Sequence, residues 1–167
     1  MDAITVQILR NKIASLTDEM HYHFYRSGYS TIIRESRDFS CVILDRDGRL
    51  IVAPPMFFHA PVYRHLVGRI VRDYGADIAE GDVFVCNHPY EGGLPHVSDM
   101  AFVAPIFAAG ALVAFSGSIA HKADVGGTHP GSTSANATEM YHEGVLVPPI
   151  KISEGGRFLS GVERLIL

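Results

Sequence analysis

The stretch NHPYEGGLPHVSDMAFVAPIFAAGALVAFSGSIAHKADVGG, residues 87–127, contains two His-x-x-Asp motifs separated by a long uncharged run. The first motif is His96 with Asp99, and the second is His121 with Asp124. Imidazole nitrogen and carboxylate oxygen are ligands shared by Mn, Fe and Zn, and strand ends joined by tight turns bring several such groups to one point. The spacing therefore indicates a metal site at the ends of strands.

The uncharged run itself, residues 101–120, meets the length of about 20 residues that a membrane helix needs. However, Pro105, Gly110 and Gly117 interrupt it, and two strand-length pieces, AFVAPIF and ALVAFSGSIA, flank an Ala-Ala-Gly turn. The pattern predicts a buried β-hairpin and argues against a membrane span.

The sequence before this stretch predicts two helices, a hairpin and a strand. Apolar residues recur every three to five positions over residues 3–28, which predicts a long amphipathic helix ending at Gly28. A second helix is predicted over residues 61–74, with its end at Gly75. Between them, CVIL and LIVA flank the turn Asp45-Arg46-Asp47-Gly48 and predict a hairpin. VFVCN, residues 83–87, reads as a strand.

Strand character returns in EGVLVPPIKI, residues 143–152, after a Gly-rich loop. The 167 residues therefore predict one domain of mixed α/β (α+β) class. It has a long N-terminal helix, β-hairpins and a mixed sheet that carries a metal site at its strand ends. The final run VERLIL has no cap and no terminating Gly or Pro, which leads us to expect a missing continuation.

Composition excludes several classes of function. Hydrophobic residues make up 47% of the chain, charged residues 19%, and the net charge is −4, so neither disorder nor nucleic-acid binding is expected. No phosphate-binding Gly-rich motif is present. Cys41 and Cys86 lie in apolar runs, which is typical of buried free thiols in a reducing compartment. The N-terminus lacks a signal-peptide pattern, so a cytoplasmic protein is expected.

Other polar residues are interpreted as structural on pattern alone. His59 and His65 flank or occupy the second predicted helix and are expected to be ordinary structural residues. The charged cluster at residues 34–38 is typical of a solvated loop, although it could also deliver a carboxylate to a strand entrance.

Five segments carry a resemblance to a known family: RESRDFSCVILDRDGRLI (34–51), GDVFVCNHPYEGG (81–93), HVSDMAFVAPIF (96–107), AHKADVGGTHPGS (120–132) and EGVLVPPIKI (143–152). In this order they resemble the N-terminal part of the hydantoinase B/oxoprolinase family, which includes the corresponding subunits of ATP-dependent acetone-type carboxylases. Family members are considerably longer, so residues 1–167 resemble only their opening segment.

The resemblance implies a set of site residues. The implied metal ligands are Glu35, His96, Asp99 and His121. Asp124 is expected to accept the free ring N–H of a ligand histidine. The candidates for a substrate loop are Asn87, Tyr90, Gly126 and Gly127. Two departures from the family pattern leave the substrate open. Many relatives have Asn-Asp-Pro-Tyr where this chain has Asn87-His88-Pro89-Tyr90. The family's Thr-His-Leu-Pro-Asp pattern is here Leu-Pro-His-Val-Ser-Asp, residues 94–99.

The resemblance also implies an activity and its requirements. A divalent metal, Mn first and otherwise Fe or Zn, would support hydrolysis or enolate chemistry. ATP would act only through a hydantoinase A-type partner subunit in a hetero-oligomer. Three functions remain open: a subunit that completes the hydrolysis of a cyclic amide such as a hydantoin or 5-oxoproline, a ketone carboxylase subunit, and an inactive truncated fragment.

Overall fold

The structure, a computed structural model, describes residues 2–52 and 59–166. The helices are α1 (Ala3–Ser27), α2 (Ala60–Tyr74), α3 (Pro89–Gly92) and α4 (Ser160–Ile166). The strands are β1 (Phe39–Asp45), β2 (Val83–Cys86), β3 (Asp99–Ala108), β4 (Ala111–His121), β5 (Ile150–Glu154) and β6 (Arg157–Phe158). Short turns of π-helix lie at Ile32–Ser36 and of 3-10 helix at Gly75–Asp77 and Met140–His142. The α+β class is confirmed.

The six strands form one sheet in the order β1-β4-β3-β2-β5-β6, and every pairing between these named strands is antiparallel. At its centre lies the predicted hairpin, β3 and β4, joined by Ala109 and Gly110. Both turn residues have positive φ, 50° and 77°, as a two-residue turn that matches the twist of the strands requires. The hairpin prediction for residues 101–120 is thus confirmed, and no helix among the described residues is both long and apolar enough to cross a membrane.

Helix α2 covers one face of the sheet and builds the main core. Tyr63, Leu66 and Ile70 of α2 are fully buried against side chains such as Phe84 and Phe115. The helix spans almost the predicted range and ends at Gly75, whose φ is 46°. Because side chains alternate along a strand, the neighbour of Phe84, Val85, belongs to a separate cluster on the other face, which α4 covers.

Helix α1 confirms its prediction, since it begins at Ala3 and is capped by Gly28. Only its C-terminal half packs on the sheet, where Phe24 stacks on Phe39 with ring centroids 4.9 Å apart. His21 joins the helix to β1: its Nδ1 lies 2.9 Å from the carbonyl of Thr17, and its Nε2 accepts the N–H of Cys41. These two partners place the ring proton on Nδ1. His21 is therefore a structural residue.

Two strand predictions are only partly confirmed. After the turn at Asp45, the described part of LIVA forms a single bridge between Leu44 and Leu50, and the N–H of Ile51 donates to the carbonyl of Ile43 at 3.1 Å. Ala53 lies outside the described residues. In EGVLVPPIKI, strand geometry begins only at Ile150, after two prolines that cannot donate backbone hydrogen bonds.

Candidate metal centre

Three of the site's side chains lie in one row across the ends of neighbouring strands. Asp99 begins β3 and lies opposite His121, the last residue of β4. On the other side of β4, Phe39 pairs with Ala120, and the N–H of His121 donates to the carbonyl of Asp38 at 3.1 Å. Antiparallel pairing therefore places one carboxylate on each side of the His121 imidazole, Asp99 on one side and Asp38 on the other.

A β-bulge in the hairpin sets this alignment. Next to the turn Phe107 pairs with Leu112, but Ile106 pairs with Ala114, so Val113 is an extra residue in β4. Without it Asp99 would lie opposite Ala120, and the side chain of His121 would fall on the other face of the sheet. The bulge is therefore a requirement of the site.

His96 completes the group from the loop before β3. One donor atom each from His96, Asp99 and His121 lies within 4.8 Å of the others. His96 Nε2 is 3.4 Å from Asp99 Oδ2, and His121 Nδ1 is 3.3 Å from Asp99 Oδ1. A fourth group, Asp38, places Oδ2 3.6 Å from His121 Nδ1. Ligands on a tetrahedral Zn with bonds of about 2.0–2.1 Å lie about 3.3 Å apart, so these separations suit a shared ion.

The unsatisfied atoms of the site support the same conclusion. Asp99 Oδ1 and His121 Nδ1 are buried and have no hydrogen-bond partner within residues 2–52 and 59–166, although they face each other. Leaving a buried carboxylate oxygen and a ring nitrogen unpaired costs about 1–3 kcal/mol for each group. A divalent cation coordinated by both atoms would remove that cost. The donor set fits Mn, Fe or Zn and does not discriminate among them.

The charges around Asp99 keep its carboxylate ionised, which is the form that binds a cation. Burial alone would raise the pKa of Asp99, but the adjacent His59 and His96 hold it below its ordinary value. The contact with Asp99 in turn raises the pKa of His96. Asp99 is therefore a buried carboxylate that stays ionised at neutral pH.

Glu35, the glutamate implied by the resemblance, lies in the turn before β1. It is exposed in the π-helical turn Ile32–Ser36 and is not part of the group of three described above. Arg37 then adopts a left-handed conformation with φ of 54°, which redirects the chain so that Asp38, three residues after Glu35, faces His121. Glu35 stays a predicted ligand from this charged cluster, and Asp38 is a further carboxylate that the local pattern does not single out. The pairing of β1 with β4 is the signal that identifies it.

Asp124 has a different role from the expected contact with a ligand histidine. Its side chain is exposed and accepts the backbone N–H of Gly126 at 2.8 Å and of Gly131 at 3.2 Å. It therefore shapes the Gly-rich loop. Gly127 is needed in that loop because an added Cβ would lie 2.7 Å from the carbonyl oxygen of Glu143.

Of the two other substrate-loop candidates, one lines a cleft and one is structural. The buried side chain of Asn87 donates to the carbonyls of Val97 and Val145 and accepts the N–H of Val147, so its amide is fully used. Tyr90 is exposed and lines a polar cleft of about 290 Å³ together with His96, Glu139 and Glu143. The His96 side chain is 31% exposed, against 3% for Asp99, so His96 is the ligand that this cleft exposes.

His59 also lies beside the site. It precedes α2, and the sequence pattern predicts an ordinary structural histidine; the structure places its Nε2 3.7 Å from Asp99 Oδ2. The side chain is 1% exposed. No local pattern identified it, because its position depends on how α2 docks on the sheet.

Comparison with known proteins identifies the family. The model of the hydantoinase B/oxoprolinase family matches residues 2–167. The chain belongs to this family. Among curated family relatives, 5-oxoprolinase 1 of Arabidopsis thaliana is 34% identical over 99% of this chain and 13% of its own length. The B-type subunit of a putative D-/L-hydantoinase of Pseudomonas sp. is 33% identical over 93% of this chain and 27% of its own length.

Two solved structures share the fold. The ATP-dependent caprolactamase from Pseudomonas jessenii superimposes with a TM-score of 0.79 at 27% identity, over 100% of this chain and 29% of that chain. An acetone carboxylase superimposes with a TM-score of 0.78 at 17% identity, over 96% of this chain and 22% of the carboxylase chain. The chain thus spans less than a third of each protein compared here.

Proposed function

We propose that this chain is the metal-binding portion of an ATP-dependent cyclic-amide hydrolase of the hydantoinase B/5-oxoprolinase type. Membership of the family supports this class of activity, as do the relatives named for 5-oxoprolinase and hydantoinase activity. The observation that carries the proposal is the convergence of His96, Asp99 and His121, with two buried atoms that lack any other described partner.

The ion would be held by His96, Asp99 and His121, with Asp38 as the fourth ligand favoured by distance and Glu35 as the alternative implied by the resemblance. When bound, a divalent ion of this kind binds water or polarises a carbonyl oxygen. Mn is our first choice of metal, with Fe and Zn as alternatives.

The residues of the cleft suit a small cyclic amide. Such a ring presents at least one N–H donor and at least one carbonyl acceptor. The carboxylates of Glu139 and Glu143 can accept the N–H, and the hydroxyl of Tyr90 can donate to the carbonyl. Glu143 is held in place because its Oε2 accepts the N–H of Val97 at 3.3 Å.

We further propose that ATP is used by a hydantoinase A-type partner subunit and that the two form a hetero-oligomer. The ATP dependence of the caprolactamase supports a role for ATP. Cys41 and Cys86 are buried free thiols, which fits a complex in the reducing cytoplasm.

A ketone carboxylase subunit is the second candidate, and only the likeness of fold to acetone carboxylase favours it. Assays with a partner subunit separate the two, because a carboxylase requires bicarbonate and a cyclic-amide hydrolase does not. A truncated fragment that binds metal and catalyses nothing is the third.

Metal content of purified variants tests the proposal. His96→Ala and His121→Ala should each lose most of the bound metal, because each residue contributes a large share of a site with few ligands. Asp38→Asn and Glu35→Gln form a matched pair that identifies the fourth ligand. Only the substitution that removes a ligand should lower the metal content of the protein. Asp124→Asn is the control and should match the wild type. Equal metal content in His121→Ala and wild type would refute the site.

A further inference from the structure

A chain of buried polar groups leads from Asp99 into the main core. His59 Nε2 lies 3.7 Å from Asp99 Oδ2, and His59 Nδ1 lies 2.9 Å from the hydroxyl of Ser40. The Ser40 hydroxyl is in turn 2.8 Å from the hydroxyl of Tyr63. The exposed fractions of Ser40, His59 and Tyr63 are 0%, 1% and 0%. Placing three polar side chains in an apolar core is costly unless they are hydrogen-bonded to one another.

The ionised carboxylate of Asp99 favours one order of protons in this chain of groups. A carboxylate only accepts, so its charge favours a proton on His59 Nε2, although at 3.7 Å the contact is electrostatic and longer than a hydrogen bond. The Nδ1 of a neutral imidazole is then an acceptor, and it requires the proton of the Ser40 hydroxyl. Burial raises the pKa of Tyr63, so the phenol keeps its proton, which it can donate to the hydroxyl of Ser40 at 2.8 Å or to the backbone carbonyl of Ser40 at 3.2 Å. Tyr63 and Ser40 thus hold the His59 ring against Asp99, and we call these three residues the relay.

We propose that Tyr63, Ser40 and His59 are positioning residues that fix the orientation of the Asp99 carboxylate for metal binding. This inference rests on the proposed function. His59 of the relay faces Asp99 Oδ2, as His96 does, while Oδ1 lies 3.3 Å from His121 Nδ1 and has no other described partner. A site that binds a cation tightly needs its ligand atoms held in place before the ion arrives, and side chains fixed behind the ligands supply that restraint.

The position of the relay depends on the sheet. Ser40 lies in β1 and Gly117 in the neighbouring β4, and the Tyr63 ring lies against Gly117, where a Cβ would be only 2.7 Å from Tyr63 Cε1. The same sheet that aligns Asp38, His121 and Asp99 therefore also supports the far end of the relay. If the network were purely structural, it would stabilise the fold without changing the affinity of the site for metal.

Metal titration of the 167-residue chain distinguishes these roles. Ser40→Ala and Tyr63→Phe each remove a relay hydroxyl and should weaken Mn²⁺ and Zn²⁺ binding, measured by isothermal titration calorimetry, by about tenfold or more. Ser153→Ala is the matched control, because it removes another buried hydroxyl from the same sheet, which donates to the carbonyl of Gly81 at 3.1 Å. It should lower stability in thermal unfolding but leave metal affinity at the wild-type value.

A second measurement needs no variant. The ring nitrogens of His59 in metal-free wild type, observed in long-range ¹H–¹⁵N NMR spectra, should show the proton on Nε2. A proton on Nδ1 alone would overturn the relay, and so would unchanged metal affinity in both hydroxyl variants while wild type binds normally. If wild type binds no divalent metal, the proposed function fails and the inference fails with it. If Ser40→Ala does not fold, Tyr63→Phe and the NMR measurement decide.

Discussion

Replacing Gly117 by alanine tests the contact between the relay and the sheet. Gly117 lies in β4 beneath the ring of Tyr63. An added Cβ would lie 2.7 Å from Tyr63 Cε1, 2.9 Å from Cδ1 and 3.2 Å from a methyl of Val42. Distances below 3.0 Å do not occur in real packing, so the ring has to move. Because Tyr63 is fully buried, the movement also displaces its hydroxyl from Ser40.

Two effects oppose each other in this variant. Alanine restricts the unfolded chain and would add about 0.4–1 kcal/mol to the free energy of unfolding if it fitted. Overpacking a well-packed core costs about 1–3 kcal/mol. The overpacking cost exceeds the entropic gain here because the neighbouring atoms belong to a buried ring. We expect a net loss of about 1–2 kcal/mol, which corresponds to a Tm lower by about 2–8 °C for a chain of this size.

Thermal and urea unfolding followed by circular dichroism measures this loss, and Gly68→Ala provides a control of opposite sign. Gly68 lies on the exposed side of α2, and an added Cβ would meet nothing within 4 Å. Alanine there should stabilise the helix by up to about 1 kcal/mol. A Gly117→Ala protein as stable as wild type would refute the packing of Tyr63 against β4.

A double-mutant cycle extends the test to the hydrogen bond. If Gly117→Ala already separates Tyr63 from Ser40, then Tyr63→Phe should cost less stability in the Gly117→Ala background than in wild type. An equal loss of stability on Tyr63→Phe in the two backgrounds would mean that the Tyr63 hydroxyl stays in place when the added methyl group displaces the ring.

The remaining predictions concern acid stability and activity. Burial opposes ionisation of Asp82, but the N–H groups of Ala79 and Gly155 and the ammonium of Lys151 lower its pKa. The stability that this carboxylate contributes is full above its unfolded pKa of about 3.9 and is lost as pH falls through the lower folded pKa. Asp82→Asn should therefore flatten the decline of stability in acid, and an unchanged acid titration would contradict the assignment. The isolated 167-residue chain should not hydrolyse 5-oxoproline or a hydantoin, with or without ATP; turnover abolished by a chelator and by His121→Ala would show that the chain is a complete catalyst.

Local sequence pattern determined the elements around the site. The long helix α1, the helix α2 ending at Gly75 and the β3–β4 hairpin are confirmed, because each depends on interactions between residues close in the chain. The same proximity explains why His96 and Asp99 could be named together. They lie three residues apart, at the start of a predicted strand.

Only the tertiary structure determined which further groups join them. Asp38 enters the site because β1 pairs with β4, two strands far apart in the sequence, and His59 enters because α2 docks across the sheet. The bulge at Val113 decides whether His121 faces Asp99 at all, and nothing in ALVAFSGSIA specifies that extra residue in advance. Strand register and helix docking are set by side chains that meet only after folding, since each contact depends on the packing of the whole core. The sequence therefore determined the types of ligand, and the fold determined which individual residues converge on one point.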